Sequence, residues 1–338
     1  MAATISEISI GMNAAEYSGS AISSDIIRVV NREPDIQKRG LISMSRRDSR
    51  LKPLLVALAN SGYYLYRVTE QFSGFIHHDS IGKRKKLMRD GELKLSGEGI
   101  LYSVEPPLDD VADINLLVIF STMKASSNLL TRHFLRNFSK ISKYIPRNTA
   151  ILRIGDLGSV KGAFYLNTNY LPRNEDNIQK LIRDVSSQLG AKRVLLYGAS
   201  KGGTASLYHA IVGGYMAIAA DPILSDEYYL SPKMNDVHFT MGTFPERKEE
   251  KFRRLFHENR DRIHDGISVV YSSRSHQFAY INAIMADPYP DMATYYNSTN
   301  VNIKDHPDVA PFTLPLIVSL MSTKLYGLPI ARGKYEIS

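Results

Sequence analysis

The chain has 338 residues, 43% of them apolar and 22% charged, which suits a folded protein with a sizeable core and excludes wholesale disorder. The formal net charge is +8, a mild basic excess that draws anions by long-range attraction and leaves nucleic acid, an anionic polymer, a phosphorylated cofactor or an acidic membrane surface as candidate partners beside the plain reading of a generic basic surface. Cysteine is absent, which excludes a disulfide framework, a zinc-thiolate site and a thiol nucleophile.

Met1 to Ser20 lacks a basic segment followed by an apolar one, so no secretory signal is expected. No apolar run reaches the length of a membrane span, and Leu314 to Met321 is far too short. A cytoplasmic protein is the expectation. Residues 1–50 are polar, carry the basic patch Arg46, Arg47 and Arg50, and suggest short helices with no obvious independent core. Leu51 to Asn60 reads as a helix ending near Gly62, and Tyr63 to Val68, aromatic and β-branched, as a strand. Lys83, Arg84, Lys85, Lys86 and Arg89 form the densest positive run, either a solvated face or a contact for an anionic partner. Glu92 to Val104 suggests a hairpin turning near Gly97 and Gly99.

From Asp113 the pattern changes. Leu116 to Phe120 is continuously apolar, as in a strand covered on both faces. A helix is expected over Leu129 to Tyr144, a strand over Thr149 to Ile154, and a helix over Asn174 to Leu189 with Asn174 as candidate N-cap. Arg193 to Tyr197 and Tyr215 to Ala220 read as strands around the helix Thr204 to Ile211. A charged helix, Glu246 to Asn259, leads to a strand at Ile267 to Tyr271. Asn300 to Ile303 reads as the last strand, before a helix from about Val309 to Thr323 that contains Pro311 and Pro315. Strands alternating with helices predict an α/β fold, a doubly wound and mostly parallel sheet over residues 110–338, with residues 1–109 as an N-terminal α+β extension.

The strongest local signal is Tyr197-Gly198-Ala199-Ser200-Lys201-Gly202-Gly203, a G-x-S-x-G pattern with an apolar strand before it and a small-residue helix after it. Such an elbow is a sharp turn that lifts a serine oxygen above the sheet, and its glycines let strand and helix approach closely. A helix N-terminus there favours developing negative charge. A Gly-rich turn that only packs helix on sheet gives the same string. A phosphate-binding turn would also use Lys201, but the P-loop spacing is not met.

A serine nucleophile needs a base. Of nine histidines, six follow Ser200, and His306, in the loop Asp305-His306-Pro307-Asp308 ahead of the final helix, is best placed. His276 is the runner-up; His209, His238, His257 and His264 read as structural or solvated. The acid is the weak point, because Ser272 to His276, where it would usually fall, holds no carboxylate. Asp221, at the end of the preceding strand, is favoured; Asp287, a backbone carbonyl, or a dyad without acid are the alternatives. The oxyanion hole needs two backbone N–H groups, for which Lys201 and Thr122 are chosen, with Ser121 and Met123 beside Thr122. The chemistry calls for no metal.

Arg153-Ile154-Gly155-Asp156-Leu157-Gly158, then Gly162-Ala163-Phe164-Tyr165, the Ser200 elbow and Asp221-Pro222-Ile223 together resemble the XcbB/CpsF-type capsular polysaccharide biosynthesis proteins, over roughly residues 110–325. The resemblance implies an α/β-hydrolase-like fold acting in bacterial surface-polysaccharide production. Related proteins of capsule pathways are acetyltransferases, which implies acetyl-CoA as co-substrate, an anionic polysaccharide as acceptor rather than nucleic acid, and peripheral association with a capsule-assembly complex at the membrane. The missing carboxylate after Tyr271 departs from a plain hydrolase triad. An acyltransferase, an esterase and a non-catalytic scaffold that keeps the elbow for structure therefore remain as readings.

Overall fold

The computed structural model describes residues 4–9, 24–30, 40–109, 111–261 and 266–338. Two sheets organise the chain. The smaller is formed by β1 (Ile5–Ser9), β2 (Ile26–Val30), β3 (Tyr63–Val68) and β4 (Phe72–His77), in the order β1-β2-β4-β3. Its core holds Ile27, Val29, Tyr63 and Phe75 under the helix Lys52–Asn60, whose Leu55 and Leu58 face inward. Val160 and Phe239 join that core from the rest of the chain, so the sheet packs against the larger body's loops. A core was not expected in the first fifty residues. Strands β1 and β2 lie far in sequence from the β3–β4 pair that β2 joins, so no local window shows it.

The larger sheet runs through β5 (Lys94–Leu95), β6 (Leu101–Glu105), β7 (Asn115–Phe120), β8 (Thr149–Ile154), β9 (Arg193–Ala199), β10 (Met216–Ala220), β11 (Ile267–Ser272), β12 (Thr294–Ser298) and β13 (Lys334–Ile337). Its order is β13-β12-β11-β10-β9-β7-β8-β6-β5, parallel except where β6 meets β8 and β5 meets β6. Alternate residues of β7 go to opposite faces: Leu116, Val118 and Phe120 enter one core, and Leu117 and Ile119 the other. That is why the strand reads as an unbroken apolar run. Strands β5 and β6 belong to this sheet, so a division at residue 109 cuts through the sheet rather than between two bodies.

Several elements differ from the sequence expectation. The helix expected over Leu129 to Tyr144 is a short helix, Leu129–His133, and a single turn at Ile141–Lys143. The helix stops where Phe134 leaves helical geometry, and beyond it the buried Arg153 guanidinium holds the carbonyls of Asn137 and Phe138 in an irregular segment. Asn174 does not cap its helix; its side-chain amide donates to the Leu166 carbonyl. Asn300 to Ile303 is a turn, closed where Asn300 accepts from the amides of Asn302 and Ile303, and the strand lies earlier, as β12. The final helix is two, His306–Phe312 and Leu314–Tyr326, bent by 59° around Thr313, where Pro315 cannot donate to the preceding turn. Among the described residues, no single helix is long and apolar enough to cross a membrane.

The register of the parallel strands collects their C-terminal ends. Phe120 of β7 lies beside Gly198 of β9, Ala199 beside Ala220 of β10, Ala220 beside Val270 of β11, and Ser272 beside Ser298 of β12. The loops carrying Thr122, Ser200, Asp221, Ser275 and His306 therefore leave from one edge.

Candidate active site

Strand β9 ends at Ala199, and the helix Lys201–Gly213 begins one residue later. Ser200 makes the turn with φ +56° and ψ −120°, a conformation that costs a non-glycine residue about 1–3 kcal/mol. The Ser200 amide donates to the Ala220 carbonyl across the sheet end, which helps hold the strained residue. A Cβ on Gly198 would stand 2.0 Å from the Gly202 carbonyl oxygen, and one on Gly202 would stand 2.7 Å from that of Phe120. Strand and helix touch backbone to backbone there, so these two positions admit only glycine.

His306 is the first residue of its helix. Asp305 caps that helix: its Oδ1 accepts from the amide of His306 at 2.7 Å, the amide of His276 at 3.0 Å and His276 Nδ1 at 2.7 Å. The His306 ring lies between Ser200 and Asp221, with Nε2 2.8 Å from Ser200 Oγ and Nδ1 2.7 Å from Asp221 Oδ2. In that line Nδ1–H donates to the carboxylate and Nε2 accepts the serine proton. Asp221 is 2% exposed and follows β10 with φ +45°. Ser275, at the end of β11 where no carboxylate is found, donates its hydroxyl to the same Asp221 Oδ2 at 2.5 Å. Ser275 carries no signal of its own in the sequence, because its role is to support an acid supplied by the neighbouring strand.

The other candidates separate. Asp287 pairs with Lys334 at 3.0 Å on the surface, away from the histidine. His276 stacks on Tyr228, its Nε2 lies 3.2 Å from the Tyr229 hydroxyl, and its ring stands 5.2 Å from that of His306. His209 is fully buried between Gln179 and the Tyr165 carbonyl, and His257 sits beside Arg260. His264 lies outside the described residues. His238 is not solvated. It is buried and lines the Ser200 cavity, and its Nδ1 has no hydrogen-bond partner among the described residues. Burial, with Lys248, Lys161, His306 and Lys201 nearby, lowers its pKa well below the ordinary value and keeps it neutral.

The oxyanion donors divide in a similar way. The Ser121 amide is spent on the Tyr165 hydroxyl at 2.6 Å, and that hydroxyl donates onward to the Ile154 carbonyl at 2.9 Å. Thr122 and Met123, the next two residues, both line the cavity, with Thr122 nearer the end of β7. Lys201 opens the elbow helix, so its N–H has no carbonyl within that helix to bond. Its side chain points the other way. It is 0% exposed, with Nζ 2.8 Å from Asp156 Oδ2. Asp156 in turn accepts from the amides of Ala163, Phe164 and Tyr165. Lys201 thus ties the elbow to the loop that carries Tyr165.

The cavity above Ser200 has a volume of about 690 Å³, within the range of small-molecule sites. Phe138, Tyr197, Ile223 and Leu314 give it apolar walls, and Thr122, Asn137, Tyr229, His238 and the Ser200–His306–Asp221 line are among its polar points. Lys83 to Arg89 do not line it, so the densest basic run of the sequence is not a contact of this cleft.

The architecture is α/β-hydrolase-like. The strand order, the strained elbow after a central parallel strand and the serine-acid-histidine sequence along the chain carry that assignment. No family model matches the chain, and no curated protein does. The solved structures that resemble it include a glycosylation-associated protein, Gap123, of Streptococcus agalactiae, at 13% identity and TM-score 0.46 over 68% of this chain; the match spans 45% of that longer chain. An S-formylglutathione hydrolase from Agrobacterium tumefaciens is similar at 11% identity and TM-score 0.42, over 68% of this chain and 88% of its own. Brefeldin A esterase, described as a bacterial homologue of human hormone-sensitive lipase, is similar at 12% identity and TM-score 0.43, over 70% and 76%. With TM-scores this low, the fold assignment rests on the strand order and the elbow.

Proposed function

We propose that the protein is a serine-nucleophile acyltransferase that moves an acyl group, acetyl in the first instance, from a coenzyme A thioester to hydroxyls of an anionic bacterial surface polysaccharide. The observation that carries the acyl-serine chemistry is the unbroken line from Ser200 Oγ through His306 to Asp221, at 2.8 and 2.7 Å. A turn kept only for packing has no need of it. The resemblance of the sequence motifs to those of the capsular polysaccharide proteins supports the acceptor.

His306 Nε2 takes the Ser200 proton as Oγ adds to the thioester carbonyl carbon, and the Lys201 and Thr122 amides receive the oxyanion. The C–S bond breaks and His306 returns the proton to the departing thiolate. A sugar hydroxyl then gives its proton to His306 and attacks the acyl carbon. The bond to Oγ breaks, and Ser200 regains its proton. Buried Asp221 stabilises the imidazolium in both halves. Water in place of the sugar gives an esterase by the same steps. The test is incubation with labelled acetyl-CoA and a panel of polysaccharides. Label in a polymer, lost with Ser200→Ala, is the expected result. Undiminished transfer by Ser200→Ala overturns the mechanism, and acetate release from an acetylated polymer with no transfer from acetyl-CoA selects the esterase.

A further inference from the structure

A second cavity, of about 280 Å³, opens beside the first, and Met123 lines both. Four cations surround it: Arg46, Lys124, Arg132 and Lys161. Two are built into the protein rather than held out in water, for Arg132 is 5% and Lys161 6% exposed. Among the described residues, none of the four is paired with a carboxylate. Among those residues, Arg132 Nη1 reaches the Val160 carbonyl at a long 3.5 Å, and its buried Nε has no partner. Lys161 Nζ lies 5.9 Å from the centre of the Phe239 ring. The nearest acid in effect is Asp236, whose carboxylate is engaged by the amides of Thr240 and Met241 at 3.0 Å each. Burying unpaired cations is costly, and a cluster of them signals a site for a multiply charged anion.

We propose that this cavity is a phosphoryl-binding subsite, which holds the phosphorylated part of a molecule whose reacting end lies over Ser200. A singly charged carboxylate would leave most of the positive charge unbalanced. A phosphoryl group brings more negative charge and three oxygens for the Arg132 guanidinium, the lysines and the neighbouring Ser126 and Ser127. Burial, with Arg46 and Arg132 alongside, pushes Lys161 down to about 7, against Asp236 and with Lys52 adding to the repulsion. An arriving phosphoryl group restores that proton. The subsite stands on its own cavity; its use in the reaction rests on the acyl-transfer reading. The phosphoryl group can come from the coenzyme A donor or from a phosphorylated acceptor polymer.

Titration calorimetry of the full chain with inorganic pyrophosphate, in buffers of different ionisation enthalpy at pH 8, tests this. Saturable binding with proton uptake is expected in the wild type and equally in Ser200→Ala, which separates the subsite from the nucleophile. The exposed pair Arg46→Gln/Lys124→Gln should weaken binding about tenfold or more, and Lys161→Gln should abolish the proton uptake. Displacement by coenzyme A assigns the subsite to the donor, and displacement by a phosphorylated oligosaccharide assigns it to the acceptor. Displacement by neither removes it from the reaction. No saturable binding, or binding unchanged in both variants, overturns the proposal.

Discussion

At the residue scale, the site depends on an acid that comes from β10 and is steadied from β11. Asp221 Oδ2 takes both His306 Nδ1 and the Ser275 hydroxyl. Replacing Asp221 with Asn leaves the packing but reverses the histidine's preferred tautomer, so kcat should fall by about 10⁴ with the fold intact by circular dichroism. Ser275→Ala removes only a donor to the carboxylate, and a loss of about tenfold or more in kcat with little change in KM is expected, at about 1.5–3 kcal/mol for one hydrogen bond to a charged group. Ser200 and His306 were legible in the sequence because a turn of fixed chemistry and a loop of fixed place in the fold announce them. Asp221 could be favoured but not separated from Asp287. The 2.7 Å contact of His306 Nδ1 with Asp221 Oδ2, and the pairing of Asp287 with Lys334, show which carboxylate reaches the ring. Ser275 and the Tyr165 hydroxyl act through contacts made across the sheet edge, which no local spacing reveals.

At the element scale, strand β9, the elbow and the helix after it form one rigid unit. Gly202 passes so close to Phe120 that an added methyl must displace backbone, and the displaced segment carries Thr122. Gly202→Ala should therefore cost about 1–3 kcal/mol of stability in denaturant unfolding and lower kcat more than it changes KM. Tyr165→Phe leaves the Ser121 amide and the Ile154 carbonyl without their shared partner. A loss of about 1–3 kcal/mol is expected, again with kcat more affected than KM. Most strands and long helices could be read from periodicity because their apolar residues meet neighbours on a regular pattern. The misread segments are those where a side chain takes over backbone groups. In the segment expected as a helix over Leu129 to Tyr144, Arg153 holds the carbonyls of Asn137 and Phe138 outside any helical ladder. Asn300 converts an expected strand into a turn.

At the scale of the whole molecule, cations placed inside it tie stability to pH. Lys161 is pushed down to about 7 by burial and by Arg46 and Arg132, and Lys324 to about 8 by burial, against an ordinary value of 10.5 for each. Between these values and 10.5 the unfolded chain binds more protons than the folded one, so both groups make stability rise with pH across that window. Below about 7 both are charged in either state, and their full penalty is present. Lys161→Met should thus raise the melting temperature at pH 6 without added anion, and the gain should shrink as pH approaches 10. A gain that stays constant with pH would remove Lys161 from this linkage. The same variant should respond less to pyrophosphate, which trades binding for stability in one residue. The gathering of β7, β9, β10, β11 and β12 at one edge puts Ser200 in an open cavity, where an acyl-serine intermediate can be trapped. Rapid-quench intact mass spectrometry after mixing with acetyl-CoA should show one acetyl group on a single peptide containing Ser200. The adduct should form before steady turnover, vanish on addition of acceptor and be absent from Ser200→Ala. Acetyl transfer that proceeds with no such adduct, or with the adduct on another residue, would contradict the acyl-serine mechanism.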